Sequence, residues 1–310
     1  MTVRLTSAST FAASIVNLQR RQQDLTDSQT RLTSGKRVLH SSDDPAAAAR
    51  AERAMAAANR ADADQRALET SRSAMQLAES ALGDAGELMQ QVRERLVAAG
   101  NGSYSDAERA QLADAIRGLR NDLLSVANRS DGAGRYLFGG QGADQPPLVD
   151  GIGGVSYVAA PGELYTASGE ATPLTLDGRA AWLQAPDPAN PGSTLSVFDV
   201  LDRVVGELST SGQDTTVIAQ NVRQGIGDVD ALAENLSRLR SRTGESLRRA
   251  DDIAERLSQA KLDAQSERSS SEDLDMVAAV SEFQTRQSGY DAALKSYSIV
   301  QRMSLFDYLK

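Results

Sequence analysis

The sequence predicts a mainly α-helical protein: an elongated helical bundle or coiled-coil rod with one small β-rich domain inserted near its middle. Three observations predict it. Apolar residues recur at alternating four- and three-residue spacings through long tracts, the period of helices that bury one seam. Alanine is abundant while aromatics make up only 4% of the chain, which suits helices in close contact better than a thick sheet sandwich. Between residues 135 and 195 the helical period is lost, charge is sparse, and glycine and proline punctuate short apolar runs.

Residues 1–10 are polar and without period, and read as a tail. The first seam then runs through Phe11, Ile15, Leu18, Leu25 and Leu32, with Gln22 and Gln29 completing the spacing. About three heptads with two glutamines in the seam make a helix that is marginal in water without a partner. Gly35 ends it. Asp43 and Asp44 precede Pro45, which reads as a helix start: proline disfavours the α region for the residue before it, its own fixed φ suits the first helical position, and an Asp side chain can accept from the orphan amides.

From Pro45 a long helix is expected. Leu68, Ser71, Met75, Ala78, Leu82, Ala85, Met89, Val92, Leu96 and Ala99 hold one phase, large residues alternating with small ones, until Gly100-Asn101-Gly102. Ser105 and Glu108 form a capping box. Leu112, Ile116, Leu119, Leu123 and Val126 share the face of the next helix, which should stop at Gly132-Ala133-Gly134.

In the insert, Val155 to Val158, Glu163 to Thr166 and Thr172 to Leu176 read as strands, the last closing in a turn at Asp177-Gly178. Tyr136, Phe138, Tyr157, Tyr165 and Trp182 are expected to form the insert's own core. Ser196 then caps a helix bearing Val197, Leu201, Val204 and Leu208. Asp214 caps a very long one, in phase from Ile218 through Val229, Leu239 and Ile253 to Ala260, roughly 60 Å at about 1.5 Å per residue. It should pack against the Leu68 to Ala99 tract.

Ser269-Ser270-Ser271 interrupts that phase, and Ser270 is read as the start of the last helix. Met276, Val280, Phe283, Gln287, Tyr290, Leu294, Tyr297 and Gln301 repeat the mixed seam, so the first and last helices are matched and each could supply the partner the other lacks. The chain divides into an N-terminal helix and joint (1–44), the first half of the rod (45–134), the β-rich insert (135–195), the second half of the rod (196–269) and a C-terminal helix (270–310).

The 310 residues carry a net charge of −9 with pI near 4.8, and no basic face gathers, which argues against nucleic acid as a partner. Without cysteine there is no disulfide framework or thiolate chemistry. The first residues lack the basic and apolar regions of a secretory signal, and no run of about 18 apolar residues points to membrane insertion. No catalytic constellation is found: His40 stands alone, no Cys/His cluster could hold zinc, and Gly35-Lys36 has Thr30 where a phosphate loop needs glycine. Gly151-Ile152-Gly153-Gly154 is a loose glycine cluster, and nothing near Asp43-Asp44, Asp251-Asp252 or Glu272-Asp273 would split a pair of carboxyl pKa values. Neither an enzyme nor a cofactor or metal site is expected.

Arg31-Leu32-Thr33-Ser34-Gly35-Lys36-Arg37, followed by Ser42-Asp43-Asp44-Pro45-Ala46, resembles the N-terminal signature of the flagellin superfamily. Ala292-Ala293-Leu294-Lys295-Ser296-Tyr297, the ending Ser304-Leu305-Phe306-Asp307-Tyr308-Leu309, and Gly134-Arg135-Tyr136-Leu137-Phe138-Gly139-Gly140 with Pro146-Pro147 are similar to its hook-filament junction members rather than to filament flagellins. The resemblance implies a structural protein of the bacterial flagellum that joins the hook side to the flagellin filament. It further implies self-association in a ring or tube, flagellin and another hook-associated junction protein as neighbours, a flagellar export chaperone, and secretion through the flagellar type III pathway to the flagellum outside the cell.

On that reading Phe11, Ile15, Leu18, Leu25, Leu32, Met276, Val280, Phe283, Tyr290, Leu294 and Tyr297 form an assembly seam that orders as subunits join. Gly35, Asp43, Asp44 and Pro45 form the joint. The alternatives are flagellin itself and, in a different class, a surface-binding, adhesive or enzymatic module in the insert.

Overall fold

The computed structural model describes residues 7–167 and 169–307. Its order is α1 (Ser7–Ser34), α2 (Pro45–Ala99), α3 (Asp106–Ala127), β1 (Leu148–Gly151), β2 (Gly154–Tyr157), α4 (Gly178–Trp182), β3 (Ala185–Pro186), β4 (Thr194–Leu195), α5 (Val197–Ser209), α6 (Thr215–Glu272) and α7 (Met276–Asp307). The fold is mainly α with a small β part. The chain forms two compact units, one of Met1–Arg60 with Gln259–Lys310 and one of Ala61–Ser258, so that the divisions fall inside α2 and α6.

In the unit Ala61–Ser258 the seam of α2 is fully used: every position of its phase from Leu68 to Ala99 is at most 4% exposed. It meets α6 antiparallel, because the cross-pairs run in opposite directions along the two helices: Arg72 with Asp251 at 3.1 Å, Glu79 with Arg240 at 2.7 Å and Arg93 with Asp230 at 2.7 Å. These pairs are exposed and add little to stability. Burial carries the weight, at about 1.5–3 kcal/mol for each large apolar side chain. The small residues matter as much, since a Cβ on Gly225 would stand 3.0 Å from Val204. The phase of α6 is mostly buried as far as Ile253, with Leu239 and Ser246 half-buried, then fades at half-buried Leu257 and exposed Ala260.

The capping box forms as the spacing predicts: Ser105 N–H donates to Glu108 at 2.7 Å, and Glu108 N–H returns to Ser105 Oγ. The helix stops earlier than expected, however, at Ala127. Asn128 closes it, and its side-chain amide brackets Leu148, donating to the Leu148 carbonyl at 2.8 Å and accepting from its N–H at 3.0 Å. A side chain here does the work of a neighbouring strand, and it fixes where β1 begins.

The insert departs from expectation in three ways. β2 forms against β1, with Leu148 opposite Tyr157, but residues 163–166 and 172–176 join only through the Tyr165–Pro173 bridge and bonds such as Leu174 N–H to the Leu164 carbonyl at 2.6 Å. Asp177-Gly178 is not a turn: Asp177 caps α4, accepting from Arg179 and Ala180 N–H. Nor do the aromatics form a separate core. Trp182 lies edge-on to Phe138 at 5.3 Å and also meets Phe198 of α5, within one cluster that includes α2, α3, α5 and α6. Tyr165 is half exposed, while the Tyr157 hydroxyl donates to the Phe138 carbonyl and burial pushes its pKa up to about 12.

Arg120 of α3 ties these layers together. Its guanidinium is only 7% exposed, pairs with Asp150 of β1 and Asp202 of α5, and stacks over Phe198 at 5.6 Å. A charge so nearly buried is tolerated because two carboxylates and an aromatic face replace the water it gives up.

In the other unit α1 packs on α7. The tail expected to reach Thr10 is shorter, since α1 begins at Ser7; residues 1–6 lie outside the described residues. The serine run is not a break. Ser270 Oγ folds back onto the Glu267 carbonyl at 3.0 Å, so its hydroxyl is satisfied inside a continuing α6. The helix ends at Glu272, and Asp275 starts α7 by accepting from Val277 and Ala278 N–H at 3.0 and 3.1 Å.

Candidate assembly site

The joint between α1 and α2 is built from local bonds. Gly35 takes φ +70°, where an L side chain is strained, and its N–H donates to the Arg31 carbonyl at 2.9 Å to close α1. Asp43 folds the connection by accepting from Leu39 and His40 N–H, both at 3.1 Å. Asp44 then caps α2 through Ala47 N–H at 3.0 Å, with Pro45 as the first helical residue. Backbone donation, from His40 to Asp43 and from Ala47 to Asp44, holds both carboxyls below the usual carboxylate range, and the Arg37 guanidinium adds to the shift of Asp44.

The same joint is fastened to the α6–α7 connection. Leu274 N–H donates to the Gly35 carbonyl at 2.9 Å, and Arg37 N–H to the Glu272 carbonyl at 2.7 Å. The Arg37 side chain donates to the Ser271 carbonyl at 2.7 Å and pairs with Asp44 at 3.2 Å, while Lys36 pairs with Glu272 at 3.2 Å. Val38 and Ser271 are buried beneath. Arg37, Ser271 and Glu272 are the residues that reading the sequence missed. Arg37 stands inside the N-terminal motif, but no spacing signals a partner so far along the chain.

Beyond the clamp α1 and α7 lie side by side, with Arg286 Nη1 donating to the Asp24 carbonyl at 3.0 Å. The proposed seam residues fall in two groups. Leu18, Leu25, Leu32, Phe283, Tyr290 and Tyr297 are half-buried. Ile15, Met276, Val280 and Leu294 are exposed, each by at least 40%. The Phe11 side chain lies outside the described residues. Val16, Val277 and Ile299, which no seam spacing selects, are exposed beside them. The pair thus covers one side of each helix and leaves an apolar surface on the unit, which is chemistry for docking. Among the described residues no His, Cys, Asp or Glu grouping could hold a metal ion, and no helix is long and apolar enough to cross a membrane.

Comparison with known proteins follows this geometry. The bacterial flagellin N-terminal helical region matches residues 7–143 and the flagellin C-terminal helical region matches residues 226–309. Flagellar hook-associated protein 3 of Salmonella typhimurium is 27% identical over 89% of this chain and 90% of its own length. Flagellin of Listeria monocytogenes is 27% identical over 86% of this chain and 84% of its own. Hook-associated protein 3 of Legionella pneumophila, 15% identical, shares the fold with a TM-score of 0.63 over 69% of this chain and 97% of that one. With both of its terminal helical regions matched, and hook-associated relatives aligned along most of their length, the chain belongs to the flagellin superfamily.

Proposed function

We propose that this chain is a structural subunit of the bacterial flagellum, at the junction between the hook side and the flagellin filament. It would leave the cell by the flagellar export route with a chaperone, associate with further copies in a ring or tube, and contact flagellin and another hook-associated protein. The observation that carries this reading is the α1–α7 pair: two helices held together by the joint, each with a seam only half covered by the other. Such helices are marginal alone and gain their missing contacts when subunits pack, so ordering and assembly are coupled. The relatives' names support the flagellar setting.

The test is to place Leu18→Asp or Leu294→Asp in the host's own copy and isolate flagella. The expected outcome is a chain whose unit Ala61–Ser258 melts normally but which is absent from flagella. Normal incorporation of both variants would overturn the role of the seam. The Listeria flagellin alignment favours a second reading, the filament subunit itself. Long filaments grown from the pure protein at high salt would support that reading, and failure to self-polymerise supports a junction of few copies.

A further inference from the structure

Asparagine followed by glycine occurs once in the chain, at Asn101-Gly102 in the turn from α2 to α3. Such a pair carries its own chemistry. The Gly102 nitrogen, with no side chain beside it, can attack the side-chain amide carbon of Asn101 and close a five-membered imide. A folded chain normally blocks this step, because an amide nitrogen tied into a helix is not free to turn on its neighbour's side chain. The other asparagines are blocked in this or a related way. Those of α1, α2, α3 and α6 precede helical amides, Asn190 precedes Pro191, which has no N–H, and Asn128 has both ends of its amide on Leu148.

At Asn101 the turn does the opposite. Asn101, Gly102 and Ser103 are all exposed. The amides on either side are used, Asn101 N–H on the Ala98 carbonyl at 3.0 Å and Tyr104 N–H on the Asn101 carbonyl at 3.1 Å. Among the described residues the Gly102 N–H donates to nothing, and a Cβ on Gly102 would meet no atom within 4 Å, so the attacking group stands in open space. The side-chain oxygen of Asn101 is held from two directions, accepting from Ser103 N–H at 3.1 Å and from the Ser103 hydroxyl at 3.0 Å. These bonds fold the amide back along the Gly102 peptide. They also place two donors on the oxygen that gains charge when the carbon is attacked. The amide nitrogen Nδ2, which must leave, has no partner among the described residues.

We propose that Asn101 is a self-modifying site, at which the folded chain deamidates without an enzyme. The Gly102 nitrogen, its proton taken by hydroxide, bonds to Cγ of Asn101. The electron pair displaced onto Oδ1 is stabilised by the two Ser103 donors and returns as the Cγ–Nδ2 bond breaks, and Nδ2 leaves with a proton from water as ammonia. Water then opens the imide. Addition at Cγ leaves aspartate, and addition at the backbone carbon leaves isoaspartate, whose chain runs through the side-chain carbon. Overall one water enters and one ammonia leaves. Either product puts a negative charge just past the bare carbonyls that end α2, where the helix dipole disfavours it. Because the change does not reverse, it marks the age of the molecule, whatever the chain's role.

The test keeps the purified full chain in warm, mildly alkaline buffer for days, beside a sample unfolded in guanidinium chloride, and follows both by peptide mass spectrometry. The expected result in the native sample is a gain of one mass unit at Asn101 alone, in aspartyl and isoaspartyl forms, at a rate no lower than in the unfolded sample. Ser103→Ala should slow the native reaction about three- to tenfold, since one donor to the charged oxygen is lost, and leave the unfolded rate unchanged. Gly102→Ala should slow both. Each substitution falls on an exposed residue, and the alanine at 102 meets nothing within 4 Å, so both variants should melt as the native chain does. A native rate below the unfolded one, or no change at Asn101, would mean that the turn protects the pair and would overturn the site. An unchanged native rate in Ser103→Ala would sink the role of its hydroxyl, and an unchanged rate in Gly102→Ala would sink the imide route.

Discussion

The Arg37 guanidinium donates to the carbonyl oxygen of Ser271 at 2.7 Å, across 234 positions of sequence. It thereby joins the connection after α1 to the end of α6. Its other branch, on Asp44 at 3.2 Å, links that contact to the cap of α2. One side chain holds three helix ends in register.

Arg37→Ala is expected to loosen this clamp. Bonds to a charged donor are worth about 1.5–3 kcal/mol, but the guanidinium is 44% exposed, so water replaces part of the loss and about 1 kcal/mol is expected. Hydrogen exchange should speed up at the amides of Arg37, Val38 and Leu274, with those of α3 unchanged. Unaltered exchange at these three amides would show that the backbone bonds suffice.

Two glycines should respond very differently to alanine. Gly35→Ala meets no atom within 4 Å and suffers only the left-handed backbone, a cost of about 1–2 kcal/mol. Gly140→Ala has the same backbone problem at φ +60° and also drives its Cβ into the Ala160 carbonyl and the Tyr157 hydroxyl. That combination should exceed about 4 kcal/mol. Thermal melts of the two variants should rank accordingly, and equal shifts would mean that the insert relaxes around position 140.

The joint should be acid-sensitive. Ala47 N–H, with help from Arg37, lowers the Asp44 pKa below its ordinary 3.8 in the folded state. Its ionised form therefore favours folding above that value, and the advantage is lost as pH falls through the lowered folded pKa. Asp43, lowered mainly by His40 N–H, acts in the same direction. Asp44→Asn keeps a capping oxygen but removes the charge. Its melting temperature should fall less than that of the native chain between about pH 5 and pH 3, and parallel curves would argue against this role for Asp44.

Limited proteolysis of the monomer should cut the ends first. Fragments running from about residue 45 to about residue 269 should persist while α1 and α7 are lost, because half-covered helices open more readily than the core of Ala61–Ser258. Resistance of the intact chain would mean that the α1–α7 pair is stable alone, and a preformed docking surface would replace the coupled-ordering mechanism.

The sequence by itself determined the helices, their phase and most of their starts. A single burial period over the Leu68 to Ala99 tract specifies which face is covered, and Ser105, Ser196 and Asp214 satisfy amides within a few residues of themselves, so both signals are local. The family motif around Gly35 and Pro45 was legible for the same reason.

Tertiary structure decided what depended on distant partners. Trp182 and Phe138 are visible as core residues in any reading, but only packing against Phe198 merges insert and helices into one core. Ser270 could cap a helix or sit inside one, and continued pairing along α6, with Asp275 available five residues on, selects the second. The clamp of Arg37 on Ser271 was invisible. A guanidinium on an exposed loop carries no mark of the carbonyl it will meet, because that carbonyl lies 234 positions further along the chain.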